Sequence, residues 1–511
     1  MTTLHLPDGP WEDVRRIARQ LDLQVWVVGG AVRDHLLGRP VHDWDFAVDR
    51  DALRLARAVA DTLNGAYFTM DEERGTGRAI LTEPNGTRTE LDFALLRGAD
   101  LESDLLARDL TINAMALNDG DNLVDPTGGQ ADLAAGRIRA THEGAFRDDP
   151  VRILRAVRME AQLSTTTEAA HIDPQTGTWM QRDAALLALP SPERVRDEFM
   201  RLLALPGAAR HVQCLDEFGL LVYTVPELES LKGVAQSPPH RFDVWQHTLL
   251  TVDTLEGVLP AVMGKEGPRG KTNQVTASPA LADAPRAAWG DIARTLGQFA
   301  PDLRTHFDIE VTTGRDRALL LKLAALLHDV GKPTTQSQDE DGHFHFYNHE
   351  PMGAQIAAAR LQELRFSRDE IERMRVLVGQ HLRPAHLARA ERVTRRAIYR
   401  YFRATGCAGV DVVFLSLADH LATWGPNLEE ERWVRRLEVG QTLLTHCFEH
   451  YEETVDPAPL LSGNDLMDGL GLASGPRIGR LLEAIREAQA AGEISTREEA
   501  LNLARRLVKS R

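Results

Sequence analysis

The sequence predicts an α+β fold, in which a head with a mixed β-sheet and helices precedes an all-α body. Three observations carry this. The strand-like runs QVWVVGG, WDFAVD, RAILT, TELDFALL and AMALN all fall before about residue 140. Beyond that point the apolar spacing is helical almost throughout. Helix starts are also well marked there: Ser191-Pro192 gives a cap and a first-turn proline, and Ser367…Glu370 and Ser495…Glu498 have capping-box spacing.

The chain has 511 residues, more than one hydrophobic core accommodates. A composition of 43% hydrophobic and 26% charged residues is ordinary for a soluble globular protein. No apolar run approaches the ~20 residues of a membrane span, and the N-terminus lacks a charged-then-apolar signal pattern. Cys214, Cys407 and Cys447 lie far apart and outside CxxC spacing, which points to a reducing, cytoplasmic setting without a disulfide frame or thiolate zinc site. The net charge of −16 argues against a wholesale nucleic-acid coat but leaves room for local basic patches. Residues 264–285, GKEGPRGKTNQVTASPALADAP, have no periodicity, and helical patterns resume on both sides. They read as a flexible insertion (about 262–287) within a domain. No repeat occurs at solenoid spacing.

In VVGGAVRDHLLGRPVHDWDFAV (27–48), QVWVV reads as a buried strand and Gly29-Gly30 as the turn after it. Glycines let the backbone approach a ligand and expose N–H groups at a helix start, which suits phosphate. Gly38 stops the short helix. The next strand alternates, with Asp43, Asp45 and Ala47 on one face and Trp44, Phe46 and Val48 on the other. Two carboxylates at i and i+2 on an open face are hard ligands able to share Mg²⁺, as phosphoryl or nucleotidyl transfer requires. Asp92, in TELDFALLR, offers a third acid. The plainer alternative is an ordinary turn followed by a solvated strand face.

Taken together, GGAVRDHLLGRPVHDWDF resembles the signature of the class II tRNA CCA-adding enzymes and bacterial poly(A) polymerases of the nucleotidyltransferase superfamily. The resemblance continues in order for about 230 residues. RDLTINAMAL (108–117) is similar to the family's second motif, which implies nucleotide-binding roles for Arg108, Asp109 and Asn113, beside Gly29, Gly30 and Arg33 of the first. DPTGGQADLAAGRIR (125–139) resembles the next motif, DDPVRILRAVR (148–158) the nucleotide-selecting helix, and SPERVRDEF (191–199) the neck helix. Two departures bear on nucleotide preference. Ala107 stands where the family has a first arginine, and Asp148-Asp149 where it has Glu-Asp.

The selecting helix has a logic of its own. Asp149 reads as an N-cap and Pro150 as a first-turn residue, so Asp149 and Arg152 share a face. A carboxylate accepts from an exocyclic amine while a guanidinium donates to the adjacent ring nitrogen. Cytosine and adenine both present that edge; guanine and uracil present the reverse. The bland alternative is a surface ion pair beside Arg155 and Arg158, which the resemblance places in the nucleotide site.

Between 240 and 420 the ordered set His247, His328-Asp329, His349, His381 and Asp419 resembles the HD phosphohydrolase superfamily. Imidazoles with carboxylates suit Mn, Fe, Ni or Co, whose bound water could attack a phosphate ester. Lys332 could hold that phosphate; His343 and His345 read as loop residues, not ligands. The resemblances together imply a nucleotidyltransferase head (1–140) and a helical neck with an RNA-binding region (141–235). An HD-type helical body (236–425) and a tRNA-binding helical tail (426–511) follow. In RVTRRAIYRYFRATG (392–406), Arg392, Arg395, Arg396, Arg400 and Arg403 could grip phosphates while Tyr399, Tyr401 and Phe402 stack or pack inward. A solvated charged face is the other reading. Near the end, GPRIG puts N–H groups at a helix start beside Arg477 and Arg480.

The function implied is addition of C and A from CTP and ATP to the 3′ end of tRNA, with Mg²⁺ in the head and a transition metal in the HD site. Its rivals are a poly(A) polymerase or a partial CC- or A-adding enzyme, an HD hydrolase with an RNA-binding head, and a pure RNA-binding module.

Overall fold

The computed structural model describes residues 9–41, 43–82, 88–164, 170–264 and 288–509. The expected insertion therefore lies outside the described residues beyond Gly264. The chain forms two compact units, 1–198 with 217–223 and 199–216 with 224–511.

The first unit is built on seven strands: β1 Val25–Val28, β2 Asp43–Val48, β3 Ala66–Asp71, β4 Thr76–Thr82, β5 Arg88–Leu95, β6 Ala116–Leu117 and β7 Leu123–Val124. Their order is β3-β4-β5-β2-β1-β6-β7, and only β2 and β5 pair in parallel. This is the mixed sheet expected, with β3 and β7 added to the runs read from sequence. β3 escaped notice because Phe68 and Met70 point to solvent on an edge strand, so no buried alternation marks it.

On β2 the alternation holds. Trp44, Phe46 and Val48 are buried, and Phe46 stacks on Phe93 of β5 with ring centroids 4.8 Å apart. Burying each large ring contributes about 1.5–3 kcal/mol, and a one-residue slip would drive the aspartates into that core. The opposite face closes past Asp45, where Ala47 packs with Val28, Leu105 and Ala116. Helix α1 Trp11–Gln20, helix α2 Gly30–Leu36, which Gly38 ends with φ +68°, and helix α3 Ala52–Thr62 complete this half of the head.

The DPTGGQ segment props up the turn that carries Asn113. Asp125 accepts from the backbone N–H groups of Gly129 (2.7 Å) and Gln130 (2.9 Å). Asp132 accepts from the Thr111 hydroxyl at 2.7 Å and from Arg139 at 2.8 Å. Gly129 sits so close that an added methyl would lie 2.1 Å from the Thr111 carbonyl oxygen.

The second unit is almost wholly helical. The Ser367/Glu370 capping box forms, but near the C-terminus the reciprocal pair is Thr496 with Glu499, one residue beyond the expected one. The stretch 395–427 has the length and apolarity of a membrane span, yet it is two helices, Arg395–Thr405 and Gly409–Trp424, mostly buried within the protein.

Gly129→Ala should force the Thr111–Asn113 turn to shift. Chemical denaturation should show a loss of about 1–3 kcal/mol, as overpacking against fixed backbone does. Unchanged stability would mean that this close approach is not a constraint.

Candidate active site and metal centre

In the head, Gly29 adopts φ +71° at the start of α2, a conformation that favours glycine. A methyl there would lie 3.3 Å from Nη1 of Arg108 and 3.4 Å from Oδ2 of Asp45. The expected free N–H is not free at Gly29, which donates to the Met115 carbonyl. Asp43 is exposed at the mouth, and Asp45 lies deeper, directly across the parallel ladder from Asp92. Burial raises the Asp45 carboxyl above the ordinary aspartate range; Arg108 opposes this, while Asp92 and Asp43 add to it. Asp92 is held bidentately by Arg78 at 2.7 and 2.8 Å, and Arg78 also pairs with Glu90. Arg78 was invisible in the sequence, because only the β4–β5 register sets it opposite Asp92.

The basic residues of the motifs are largely engaged with neighbours. Arg33 is clasped by Asp34 at 3.0 Å through two nitrogens and donates to Asn113 at 2.7 Å. Arg155 bonds Asp109 at 3.0 Å and Glu198 at 3.4 Å, and Arg158 bonds Glu198 at 2.7 Å. Burial alone would raise the Asp109 carboxyl, but Arg155 and the Leu110 N–H outweigh it and the net shift is downward. Asp149 is extended and accepts from the Val151 N–H, as a cap does, although regular helix begins at Arg152. Its other oxygen accepts from Arg194 at 2.6 Å. Arg152 is buried and donates to the carbonyls of Ala107, Arg108 and Ala145 at 3.2–3.4 Å. Asp149 and Arg152 therefore each have their own partners.

In the second unit, five helices or helix ends bring the six HD-type residues together. His247 comes from helix Val244–Val262, His328-Asp329 follow helix Arg317–Leu327, and His349 opens helix His349–Glu363. His381 follows helix Arg368–Gln380, and Asp419 lies in helix Gly409–Trp424. They form two triplets, His247, His328 and Asp419, and Asp329, His349 and His381, each with ligand atoms within 4.8 Å of one another. Asp329 joins them. Its Oδ2 lies 3.2 Å from His328 and 3.5 Å from His247, and its Oδ1 lies 3.5 Å from His349 and 4.0 Å from His381. His328, His349 and His381 each direct Nδ1 at a backbone carbonyl at 2.7–2.8 Å. That fixes the Nδ1–H tautomer when the ring is neutral and turns a lone pair on Nε2 toward the centre.

The centre fits cations. The Nε2 atoms of His349 and His381 face each other at 3.4 Å, and Nε2 of His247 and Nε2 of His328 are buried with no hydrogen-bond role fixed except toward Asp419 and Asp329. Burial pushes His381 down to about 3, so its lone pair is free at neutral pH. Lys332 already bonds Asp329 at 2.6 Å and Gln236 at 2.7 Å. His345 pairs with Asp339 at 2.8 Å and His343 lies 3.6 Å from it, outside both triplets.

Three known family models match parts of the chain. Residues 25–139 match the poly A polymerase head domain, 171–232 the probable RNA and SrmB-binding site of polymerase A, and 291–424 the HD domain. The chain is 35% identical to the A-adding tRNA nucleotidyltransferase of Deinococcus radiodurans over 93% of each protein. The chain belongs to the class II tRNA nucleotidyltransferase family. It is also 34% identical to the CC-adding enzyme of Thermus thermophilus, over 93% of this chain and 91% of that protein. A solved CCA-adding enzyme in complex with ATP shares the fold, with TM-score 0.61 and 20% identity over 98% of this chain and 96% of that one.

In this nucleotidyltransferase the arginine-rich helix Arg395–Thr405 is not a row of free cations. Arg395 pairs with Glu453, Arg396 with Glu487 and Glu493, Arg400 with Glu487, and Arg403 with Glu483, all at 2.7–3.1 Å. Tyr399, Tyr401 and Phe402 pack inward, the second alternative read from sequence. The acids lie 50 to 100 residues downstream, so local charge counting could not find them.

Adding Mn²⁺, Co²⁺ or Ni²⁺ to the metal-stripped nucleotidyltransferase should raise its melting temperature, because only the folded state gathers both triplets. His328→Ala with Asp329→Ala should lose most of that rise and most of the bound metal on elemental analysis. An equal rise in the double variant would place the ions elsewhere.

Proposed function

We propose that this nucleotidyltransferase adds C and A from CTP and ATP to the 3′ end of tRNA and releases pyrophosphate. The observation that carries this reading is the Asp43/Asp45 pair on β2, with Asp45 at the Gly29 turn near Arg108, in a chain similar along its length to tRNA nucleotidyltransferases. Asp43 and Asp45, with Asp92 adjacent, are the residues that would hold Mg²⁺. Bound there, Mg²⁺ would favour ionisation of the RNA 3′-hydroxyl and neutralise charge on the triphosphate.

The protein's own groups do the rest. Gly29 and Gly30 let the backbone come close to the nucleotide, and Arg108 with Arg33 supplies positive charge and shape around it. The 3′-oxygen bonds to the α-phosphorus as the α–β bridge breaks, with inversion. Asp149 and Arg152 read the base, with Asp109, Asn113, Arg155 and Arg158 fixing the walls around them. For Asp149 this means exchanging Arg194 for the base amine.

We assign the four-part division given by the sequence to head, neck, HD body and tRNA-holding tail, acting in the cytoplasm. The residues of the two HD triplets, with Asp329 close to both, would hold a divalent transition metal (Mn, Ni, Co or Fe), which would supply a water activated for phosphate-ester hydrolysis.

A second reading is favoured by one observation. Relatives that span nearly the whole chain include an A-adding enzyme and CC-adding enzymes, each adding part of CCA. Purified protein should therefore be incubated with tRNA lacking the terminal CCA and with tRNA ending in CC, using each NTP alone and CTP plus ATP. Complete CCA from both nucleotides supports the first reading. C on one substrate alone, or A on the other alone, makes it a partial enzyme, and a long A tract makes it a poly(A) polymerase.

Asp43→Ala or Asp45→Ala should abolish addition while leaving tRNA affinity nearly intact, since the acids sit where charge develops. Addition within about tenfold of wild type would remove them from the chemistry.

Arg152→Ala should lower kcat/KM for CTP and ATP by about 30- to 150-fold, the loss of one buried charge-assisted hydrogen bond, and raise relative use of UTP and GTP. An equal loss for all four NTPs would instead mean that Arg152 serves to hold the Ala107, Arg108 and Ala145 carbonyls.

A further inference from the structure

Asp104 belongs to neither motif as read from the sequence, yet it is one of the most buried carboxylates of the head, 2% exposed. It lies in helix α4, Leu101–Leu106, whose start is capped by Asp100 accepting from the Ser103 N–H at 2.8 Å. Oδ2 of Asp104 accepts from Nε of Arg108 at 3.0 Å and from Nη2 at 2.9 Å, while Oδ1 accepts from the Arg97 N–H at 2.9 Å. Both oxygens are used, one on a guanidinium and one on the chain leaving β5. The remaining guanidinium nitrogen, Nη1, points the other way, toward the Gly29 turn, where it and Oδ2 of Asp45 lie within 3.4 Å of the same point.

We propose that Asp104 is a positioning residue for the transfer reaction: it holds Arg108 back from Asp45, leaving the aspartate open to a cation and Nη1 directed into the nucleotide site. This rests on the reading of Asp45 and Arg108 given above. The physical argument is a competition. An arginine facing two carboxylates pairs with whichever has the better geometry, and a guanidinium fork satisfies only one of them bidentately. Asp104 sits in the first turn of a capped helix and is anchored by a second hydrogen bond, from the Arg97 N–H. If its charge is removed, Arg108 is left with Asp45 across the Gly29 turn, and a direct Arg108–Asp45 pair would occupy the oxygen needed for a divalent ion. The sequence carries this as an Asp four residues before the motif arginine, the spacing of a helical ion pair.

The test is the isosteric Asp104→Asn, alone and combined with Arg108→Ala, in the full-length protein with truncated tRNA. Initial rates are measured against NTP at saturating Mg²⁺ and against Mg²⁺ at saturating NTP, with melting curves for every variant. Asp104→Asn should raise the half-saturating Mg²⁺ and the KM for NTP by about tenfold or more, with a smaller change in kcat. In the Arg108→Ala background, the same substitution should change neither constant further, because the group it acts through is gone. Mg²⁺ and NTP constants for Asp104→Asn that match wild type would overturn the proposal. So would a loss of the same size in both backgrounds, which would mark Asp104 as a structural support only. If Asp104→Asn alone does not fold, the comparison of Arg108→Ala with the double variant still decides. An Arg108→Ala enzyme indistinguishable from wild type would instead sink the reading of Arg108 itself.

Discussion

Parallel pairing of β2 with β5 sets Asp45 opposite Asp92, at the strand spacing of about 4.8 Å where two carboxylates repel. Everything around the head's site answers that repulsion. Arg78 neutralises Asp92 from the β4 side, and Arg108 faces Asp45 from beyond the Gly29 turn. Burial first, with Asp92 and Asp43 adding to it against Arg108, raises the Asp45 carboxyl, and a divalent cation bound there would offset both effects. The register itself is held by Phe46 stacked on Phe93 beneath. An apolar stack on one face thus fixes an electrostatic problem on the other.

The HD body solves the same problem with different residues. Four buried imidazoles with Asp329 and the partly buried Asp419 would be costly as an unpaired cluster. Here the backbone carbonyls of Ala325, Phe346 and Val378 fix three imidazoles from behind, and Asp329 presents one oxygen to each triplet. Each centre lies within a single compact unit, with the aspartates in the first and the histidines in the second. Their chemistries can therefore be separated by substitution.

Much of this was legible in the sequence because it is local. The Gly-Gly turn, the DWD alternation and the helix stop at Gly38 are written in short-range spacing, and the order of the HD residues is legible through its resemblance to a known superfamily. What escaped was set by tertiary register. Arg78 meets Asp92 only through antiparallel pairing, and Arg396, Arg400 and Arg403 meet Glu487 and Glu483 only when the tail helix Pro476–Ala490 docks beside them. The spacing of Asp149 and Arg152 places them together, but it does not show the partner each also has, Arg194 for Asp149 and three backbone carbonyls for Arg152. β3 has no buried face and so wrote no pattern. Long-range partners of charged side chains are the part of a site that periodicity cannot supply.

The central claim is that the β2 aspartates hold a cation against the α-phosphate of the incoming nucleotide. It is tested most directly with the two α-thio diastereomers of CTP and ATP on truncated tRNA, in Mg²⁺ and then in Mn²⁺ or Cd²⁺. One diastereomer should be used at least about tenfold more slowly in Mg²⁺ and recover in the softer metal, because sulfur replaces the oxygen that the cation contacts. Rates that fall equally for both diastereomers, with no recovery on changing the metal, would contradict the account.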